Sequence, residues 1–179
     1  KLREELALPE HYFLAVARLS PEKNLDMFFE AFQTYRAAGG RWDLVLVGAG
    51  PEQERLQAKA GEGIHFMGWK QSSELVPYYA LAGCLVLPSL SETWGLVVNE
   101  AMICGLPVIV SERCGCVPEL CKENAFVIDP EQPDALAERM LEVSGSDETR
   151  QRMGEASREI IQGFTPQTWA HQLAECIRW

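Results

Sequence analysis

The chain has 179 residues, of which 47% are hydrophobic and 23% charged, and it carries a formal net charge of −10 at pH 7. This size and composition are typical of one folded globular domain with a sizeable core. The acidic balance argues against a nucleic-acid surface, which needs a clustered basic face. No apolar run approaches the roughly 20 residues of a membrane span, so we predict a cytoplasmic location.

Apolar periodicity predicts strands and helices that alternate along the chain. The predicted strands are, in chain order, 12–17, 43–47, 64–67, 84–87, 108–110 and 125–128. The predicted helices are 25–38, 51–60, 72–81, 95–104, 134–144, 148–162 and 167–178. Pro51 is predicted to be the first residue of its helix and Ser72 to cap the next one. Such alternation implies an α/β fold, a Rossmann-like parallel sheet of about six strands with helices on both faces.

The six cysteines show no regular spacing, and we interpret them as reduced thiols. Cys114, Cys116 and Cys121 are the nearest to a cluster, but their spacing is not that of a zinc site and no histidine lies nearby. We therefore expect no metal site. The three histidines are scattered and have no partner that would mark a catalytic base.

Two candidate sites follow the first two strands, at the carboxyl ends where ligands bind in such folds. Arg18 and Lys23 offer two cations that suit a diphosphate, although the local sequence alone favours an ordinary solvated basic loop. Gly48 and Gly50 form a turn that could admit phosphate. Pro51 stands where a dinucleotide fingerprint continues, and no carboxylate follows at the next strand, so a plain tight turn is the favoured interpretation.

A third candidate is the loop and helix start after the fourth strand. Glu92 lies in the loop, the amides of residues 94–97 lie at the positive end of the following helix, and Glu100 falls about one turn inside it. Carboxylates bind sugar hydroxyls and free amides bind phosphate, so the segment suits a sugar phosphate. The segment is explained equally well if Glu92 and Glu100 only compensate the positive dipole end at the first turn of the helix. A fourth candidate turn contains Gly115 and Glu119, and a solvent-facing Glu119 is the stronger interpretation there.

Five segments gain meaning from their order along the chain. They are Ala17-Arg18-Leu19-Ser20-Pro21-Glu22-Lys23-Asn24, Val47-Gly48-Ala49-Gly50-Pro51, Pro88-Ser89 with Glu92 and Gly95-Leu96-Val97-Val98-Asn99-Glu100-Ala101-Met102, Cys104-Gly105-Leu106-Pro107-Val108-Ile109, and Gly115 with Pro118-Glu119. Together they resemble the motifs of the carboxyl-terminal, donor-binding domain of the group 1 (family 4) retaining glycosyltransferases, which have the GT-B fold. The chain departs from that pattern at Ala17, Asn24 and Cys116, where glycine is common.

The resemblance implies a role for each matched residue. Arg18 and Lys23 would hold the donor diphosphate, and Glu92 would contact the transferred sugar, which makes these three the catalytic candidates. The donor-binding candidates are Gly48 and Gly50 at the phosphate-facing turn, Trp69 beside the base, Trp94 beside the ligand, the amides of Gly95, Leu96 and Val97 at the sugar and diphosphate, and Glu100 at the ribose.

The resemblance also implies an activity. The chain would bind a UDP- or GDP-sugar as co-substrate for retaining transfer, with no metal or other cofactor. The acceptor site would lie in an amino-terminal domain of the same full-length protein. We expect residues 1–179 to form one domain, with the helices of about 146–179 packing toward that domain.

Further expectations concern the full-length protein and the alternative functions. Without the amino-terminal domain the chain would be inactive, and any peripheral membrane association would come through that domain. The alternatives are a nucleotide-sugar epimerase of GT-B fold and a non-catalytic binding module. An NAD-dependent oxidoreductase domain would have the same type of fold. Pro51 argues against it, because this residue stands where the dinucleotide fingerprint would continue.

Overall fold

The computed structural model describes residues 1–176 and contains a six-stranded, all-parallel sheet. The strands are β1 Tyr12–Val16, β2 Asp43–Val47, β3 Ile64–Phe66, β4 Cys84–Leu87, β5 Val108–Ser111 and β6 Ala125–Ile128. Their order across the sheet is β3-β2-β1-β4-β5-β6. The order reverses between β1 and β4, and in such sheets the crevice for a ligand lies there, outside the carboxyl ends of the strands.

Helices cover both faces of the sheet. They are α1 Leu2–Glu5, α2 Leu25–Ala37, α3 Gln53–Lys59, α4 Ser72–Leu81, α5 Leu96–Ile103, α6 Val117–Leu120, α7 Pro133–Gly145, α8 Asp147–Ile161 and α9 Pro166–Cys176, with a short 3-10 helix at Pro21–Lys23. The predicted α/β architecture is thereby confirmed. Residues 177 and 178 of the last predicted helix lie outside the described residues.

Alternation along the strands divides the core into two layers, because successive side chains of a strand point to opposite faces. Phe13 and Ala15 of β1 pack in one layer beneath α2 and α7, whereas Tyr12 and Leu14 pack in the other beneath α4 and α5. Helix α8 packs against α5 and α7, and its Ser157 Oγ donates to the carbonyl of Leu106 at 2.6 Å. Helix α8 is therefore part of this domain's own packing; that residues 146–179 also pack toward a further domain stays a prediction.

Helices α7, α8 and α9 each begin one residue earlier than predicted, and two further helix starts and one cap differ from the prediction for a local reason. Pro51 and Glu52 belong to a turn, and α3 begins at Gln53, because the Glu52 amide donates to the Leu19 carbonyl at 3.0 Å. Gln71 rather than Ser72 caps α4, in a capping box with Glu74. Gly95 is not helical, because its φ of 94° is left-handed.

The short helices α1 and α6 and the 3-10 helix were not predicted. Among the helices of residues 1–176, none is long and apolar enough to cross a membrane.

Candidate functional site

Two cavities of about 410 Å³ each open at the carboxyl ends of the central strands. One is lined by Val16, Ala17, Arg18, Lys23, Leu87 and Glu92 to Val97, and the other by Ala17, Arg18, Val47, Gly48, Ala49, Trp69 and Lys70. Because Ala17 and Arg18 line both, we treat the two as one site and call it the carboxyl-edge cleft. It lies where the strand order reverses, as the topology requires.

An ion pair between Lys23 and Glu92 lies in the wall of the carboxyl-edge cleft. Lys23 ends the 3-10 helix after β1, and Glu92 lies in the loop after β4, so the two meet only because β1 and β4 are neighbours in the sheet. Their side chains are 17% and 19% exposed. Arg18 is exposed and forms no ion pair with any residue of the described part of the chain. The structure thus brings together all three residues that were predicted to be catalytic.

The loop that carries Glu92 is held in place by the turn after β5. The Gly115 amide donates to the Glu92 carbonyl at 2.9 Å, and the Cys116 amide donates to the Trp94 carbonyl at 3.1 Å. A Cβ on Gly115 would lie 2.0 Å from the Thr93 carbonyl oxygen, so only glycine permits this approach. The turn therefore supports the Glu92 loop, and the exposed Glu119 faces solvent as predicted.

The start of α5 presents its amides toward the same cleft. Gly95 adopts a left-handed φ of 94°, and the helix follows with Leu96 and Val97 as its first two residues, both of which line the cleft. The Trp94 indole Nε1 donates to the Asn99 Oδ1 at 2.9 Å, which fixes this aromatic ring on α5. Leu96 is 69% exposed.

The first turn of α5 contains no acidic residue. Glu100 therefore lies beyond the turn that it would compensate, whereas Glu92 lies beside Gly95 just before that turn, so the compensating role is excluded for Glu100 and not for Glu92. The positive end of the helix has no acid of its own turn to compensate it.

Asn24 ties the Lys23 loop to two other loops at this edge of the sheet. Its φ of 58° is left-handed, a conformation that glycine and asparagine adopt most readily. Its Nδ2 donates to the carbonyls of Pro88 at 3.2 Å and Pro130 at 2.7 Å. Asparagine at a position where glycine is common thus keeps the backbone conformation and adds two contacts that glycine cannot make.

The glycines after β2 allow the loops after β1 and β2 to touch. A Cβ on Gly48, whose φ is 144°, would lie 1.9 Å from the Ala17 carbonyl oxygen, and one on Gly50 would lie 2.2 Å from that of Leu19. The Gly48 amide donates to the Gly68 carbonyl at 2.9 Å, next to Trp69, which is 67% exposed. Gly48 and Trp69 line the cleft. Gly50 does not line it and instead packs against the backbone of Leu19.

Glu100 lines a separate cavity between α4 and α5. This cavity, of about 240 Å³, is lined by Ser72, Leu75, Val76, Tyr79, Glu100, Ile103 and Cys104. The Tyr79 hydroxyl donates to Glu100 Oε2 at 2.5 Å. Burial and the Glu100 carboxylate raise the pKa of Tyr79 well above its usual range. Sequence reasoning missed Tyr79, because in a helical pattern it counts only as a core aromatic.

Five cysteines are free thiols, as predicted: Cys84, Cys104, Cys114, Cys116 and Cys121. Burial raises the pKa of Cys114 to about 12 and that of Cys84 beyond the usual range, so both remain protonated. Within residues 1–176, no group of three His, Cys, Asp or Glu side chains is arranged to hold a metal ion.

Comparison with known proteins identifies the family of the chain. The family model for glycosyl transferases group 1 matches residues 1–160. The sulfoquinovosyl transferase SQD2 of Arabidopsis thaliana is 33% identical over 155 residues, which cover 83% of this chain and 29% of that protein. The match covers 29% to 46% of the length of SQD2 and of three other curated relatives, so the chain spans less than half the length of each.

Solved structures give the same result for the fold. The sucrose-phosphate synthase of Thermosynechococcus elongatus superposes with a TM-score of 0.86 at 28% identity, over 99% of this chain and 47% of that one. HepE of Anabaena, solved in complex with UDP, superposes with a TM-score of 0.83 at 22% identity, over 98% and 51%. The sucrose-phosphate synthase is a GT-B glycosyltransferase. The chain belongs to the glycosyl transferases group 1, a family of nucleotide-sugar-dependent transferases.

Proposed function

We propose that the carboxyl-edge cleft binds a UDP- or GDP-sugar and that the chain is the donor-binding, carboxyl-terminal half of a retaining glycosyltransferase. The observation that carries this proposal is the Lys23–Glu92 ion pair beside Arg18 and the start of α5. A cation and a carboxylate side by side suit the junction between a sugar and its diphosphate, where acidic oxygens adjoin hydroxyl groups.

The diphosphate would lie against Arg18, Lys23 and the first amides of α5. Arginine offers a planar fork of donors and lysine a point charge, and the helix start adds a positive dipole end. No acid of the first turn of α5 competes for that end. In the transfer step the bond from the sugar C1 to the diphosphate oxygen breaks, and negative charge develops on the leaving group. The same cations then stabilise the transition state.

The sugar would lie against Glu92. Lys23 occupies one carboxylate oxygen, Oε2. An ionised carboxylate has about four acceptor positions, so Glu92 can still accept hydrogen bonds from sugar hydroxyls. The loop support from Gly115 fixes the position of this carboxylate.

The nucleoside would extend toward Trp69 and Glu100. An exposed indole such as that of Trp69 offers a flat surface beside a base, and Glu100 can accept hydrogen bonds from ribose hydroxyls. The complex of HepE with UDP supports a nucleotide ligand in this fold.

The acceptor and the stereochemical course are further parts of the proposal. The chain spans less than half the length of the curated relatives named above. An amino-terminal domain would supply the acceptor site and any membrane contact. Transfer would retain the anomeric configuration through attack on the same face, with the leaving phosphate accepting the acceptor's proton. Positioning and charge stabilisation would do this without a metal, and the chain alone would not transfer sugar.

Calorimetric titration with UDP and GDP tests the donor site. We expect Lys23→Ala to weaken binding of the preferred nucleotide about 10- to 100-fold, the usual effect of losing a charged hydrogen bond. Lys59→Ala is the matched control, since it removes an equal charge from α3, where Lys59 contacts Asp26. EDTA should leave the affinity unchanged. The proposal fails if neither nucleotide binds or if Lys23→Ala binds as tightly as Lys59→Ala.

A further inference from the structure

The contact between α4 and α5 has a consequence for nucleotide recognition. Tyr79 lies near the end of α4 and Glu100 at the fifth residue of α5, and the phenol donates to Glu100 Oε2 at 2.5 Å. Within residues 1–176, no other hydrogen bond reaches the Glu100 carboxylate. Oxygen Oε1 is therefore open to a ligand, while Oε2 is held from the α4 side.

We propose that Tyr79 is a positioning residue for Glu100, holding one carboxylate oxygen so that the other meets the ribose hydroxyls of the donor. The inference rests on the proposed function, because it takes Glu100 as the ribose ligand. It adds a residue outside the five motifs and explains why a tyrosine, rather than another aromatic residue, stands there.

The surroundings make this contact necessary for the carboxylate. Leu75, Val76 and Ile103 line the cavity that Glu100 faces, and most of its wall is apolar. A carboxylate beside apolar side chains is costly unless a donor reaches it. Without the phenol, Glu100 would turn toward solvent, and its open oxygen would no longer have one fixed direction.

The chain offers a matched control at the preceding residue. Tyr78 is as buried as Tyr79, each being 3% exposed, and both belong to α4. Within the described residues, the Tyr78 hydroxyl donates no hydrogen bond to another side chain. Tyr78→Phe and Tyr79→Phe therefore remove the same atom from the same helix, but only the second removes the contact with Glu100.

The experiment compares two probes that differ only at the ribose. The affinity of UDP or GDP, whichever binds more tightly, is measured together with that of its 2′,3′-dideoxy form, for the wild type, Tyr78→Phe, Tyr79→Phe, Glu100→Gln and the double variant. The affinity for the nucleotide divided by the affinity for its dideoxy form is the ratio that reports the ribose contact alone. A change in folding or helix packing would weaken both probes equally and leave the ratio unchanged.

We expect Tyr79→Phe to lower this ratio about 3- to 10-fold, the effect of one lost hydrogen bond. Tyr78→Phe should leave it unchanged. In the Glu100→Gln background, Tyr79→Phe should have no further effect, because residues that act through one contact are not additive.

Two other outcomes separate the inference from the proposed function. If Glu100→Gln lowers the ratio and Tyr79→Phe does not, Glu100 binds the ribose without help, and the inference is overturned while the function stands. If Glu100→Gln leaves the ratio at the wild-type value, Glu100 is not the ribose ligand, and the inference fails together with that part of the proposed function.

Discussion

The two edges of the sheet carry similar residues but differ in what those residues contact. At the amino edge, between the starts of β1, β4 and β5, lies a cavity of about 810 Å³, larger than either part of the carboxyl-edge cleft. Its wall contains Arg3, Arg150 and Arg158 together with Glu10 and Glu155. Size alone would make it the better candidate for a ligand site.

The arginines of the amino edge are already occupied by the protein itself. Arg3 donates to the carbonyl of Leu81, the last residue of α4, at 3.2 Å, and Arg158 donates to that of Cys104, the residue that caps the end of α5, at 3.4 Å. Arg150 pairs with Asp147. Cations at the last carbonyls of helices satisfy the negative ends of their dipoles.

At the carboxyl edge the helices begin instead of ending, and the positive ends of α2, α3 and α4 are compensated by Asp26, Glu54 and Glu74 in their first turns. Arg18 forms no ion pair within residues 1–176, and α5 has no acid in its first turn. The comparison favours the guanidinium of Arg18 and the start of α5, rather than cavity volume, as the marks of the proposed ligand site.

The largest effect is expected from adding a Cβ at a glycine that packs closely against a backbone carbonyl, one such glycine at each edge. Gly48→Ala would place a Cβ 1.9 Å from the Ala17 carbonyl oxygen at the carboxyl edge, and Gly154→Ala one 2.4 Å from that of Gly105 at the amino edge. Each should lower the free energy of unfolding by about 1 to 3 kcal/mol through strain. Only Gly48→Ala should also weaken nucleotide binding, by about 10-fold or more, since it displaces the loop that carries Arg18.

Urea unfolding and calorimetric titration of both variants give these two numbers side by side. Equal loss of nucleotide affinity in Gly48→Ala and Gly154→Ala would remove the distinction between the edges.

The next effect comes from exchanging an arginine at each edge. Arg18→Ala should weaken nucleotide binding about 10-fold and leave the midpoint of thermal unfolding unchanged, because Arg18 is exposed and contacts no carboxylate in the described chain. Arg3→Ala should do the reverse and lower stability by about 1 kcal/mol, since Arg3 donates to Pro9 and Leu81. Thermal unfolding and titration of both check this. Weaker binding in Arg3→Ala would move the ligand to the amino edge.

A smaller effect is expected at Asn24, whose two contributions can be separated. Asn24→Gly keeps the left-handed backbone but loses the bonds to Pro88 and Pro130, so nucleotide affinity should fall about 3-fold as Lys23 loses its support. Asn24→Ala adds the cost of a left-handed alanine, about 1 kcal/mol of stability. Titration and urea unfolding compare the two. Wild-type affinity in Asn24→Gly would show that Lys23 needs no such support.

The strands were predictable because parallel strands buried on both faces form continuous apolar runs. Strands β2, β4 and β6 have the predicted bounds. The charged residues of the cleft could be named as well, because chain order places them just after strands. Helix α6 and the 3-10 helix, with four and three residues, are too short to show a periodicity.

The partners inside the site could not be predicted. Lys23 and Glu92 are 69 positions apart, and their pairing follows from the neighbouring positions of β1 and β4. Tyr79 and Glu100 are 21 positions apart, and their contact depends on how α4 and α5 pack. Local patterns contain no information about such contacts, which arise from the order of strands and the packing of helices.

The smallest effect concerns a cluster of charged residues that lies at the carboxyl edge but contributes to the stability of the fold. Asp26 in the first turn of α2 contacts Arg55 and Lys59 of α3. Hydrogen bonds from Arg55 and, to a lesser extent, Lys59 lower the pKa of Asp26 to about 2. A lowered carboxyl pKa means that the stabilisation is present above the unfolded-state value near 4 and is lost as pH falls from about 4 toward 2.

Asp26→Asn should therefore lower the free energy of unfolding by less than about 1 kcal/mol at pH 7, because solvent screens a side chain that is 43% exposed. At pH 2 most of the difference from the wild type should be gone, and urea unfolding at both pH values measures it. Nucleotide affinity at pH 7 should be unchanged, since Asp26 and its partners already satisfy one another. If Asp26→Asn alters that affinity, Asp26 and its partners also contribute to the proposed ligand site, and the Arg18 guanidinium and the start of α5 no longer suffice to distinguish the two edges.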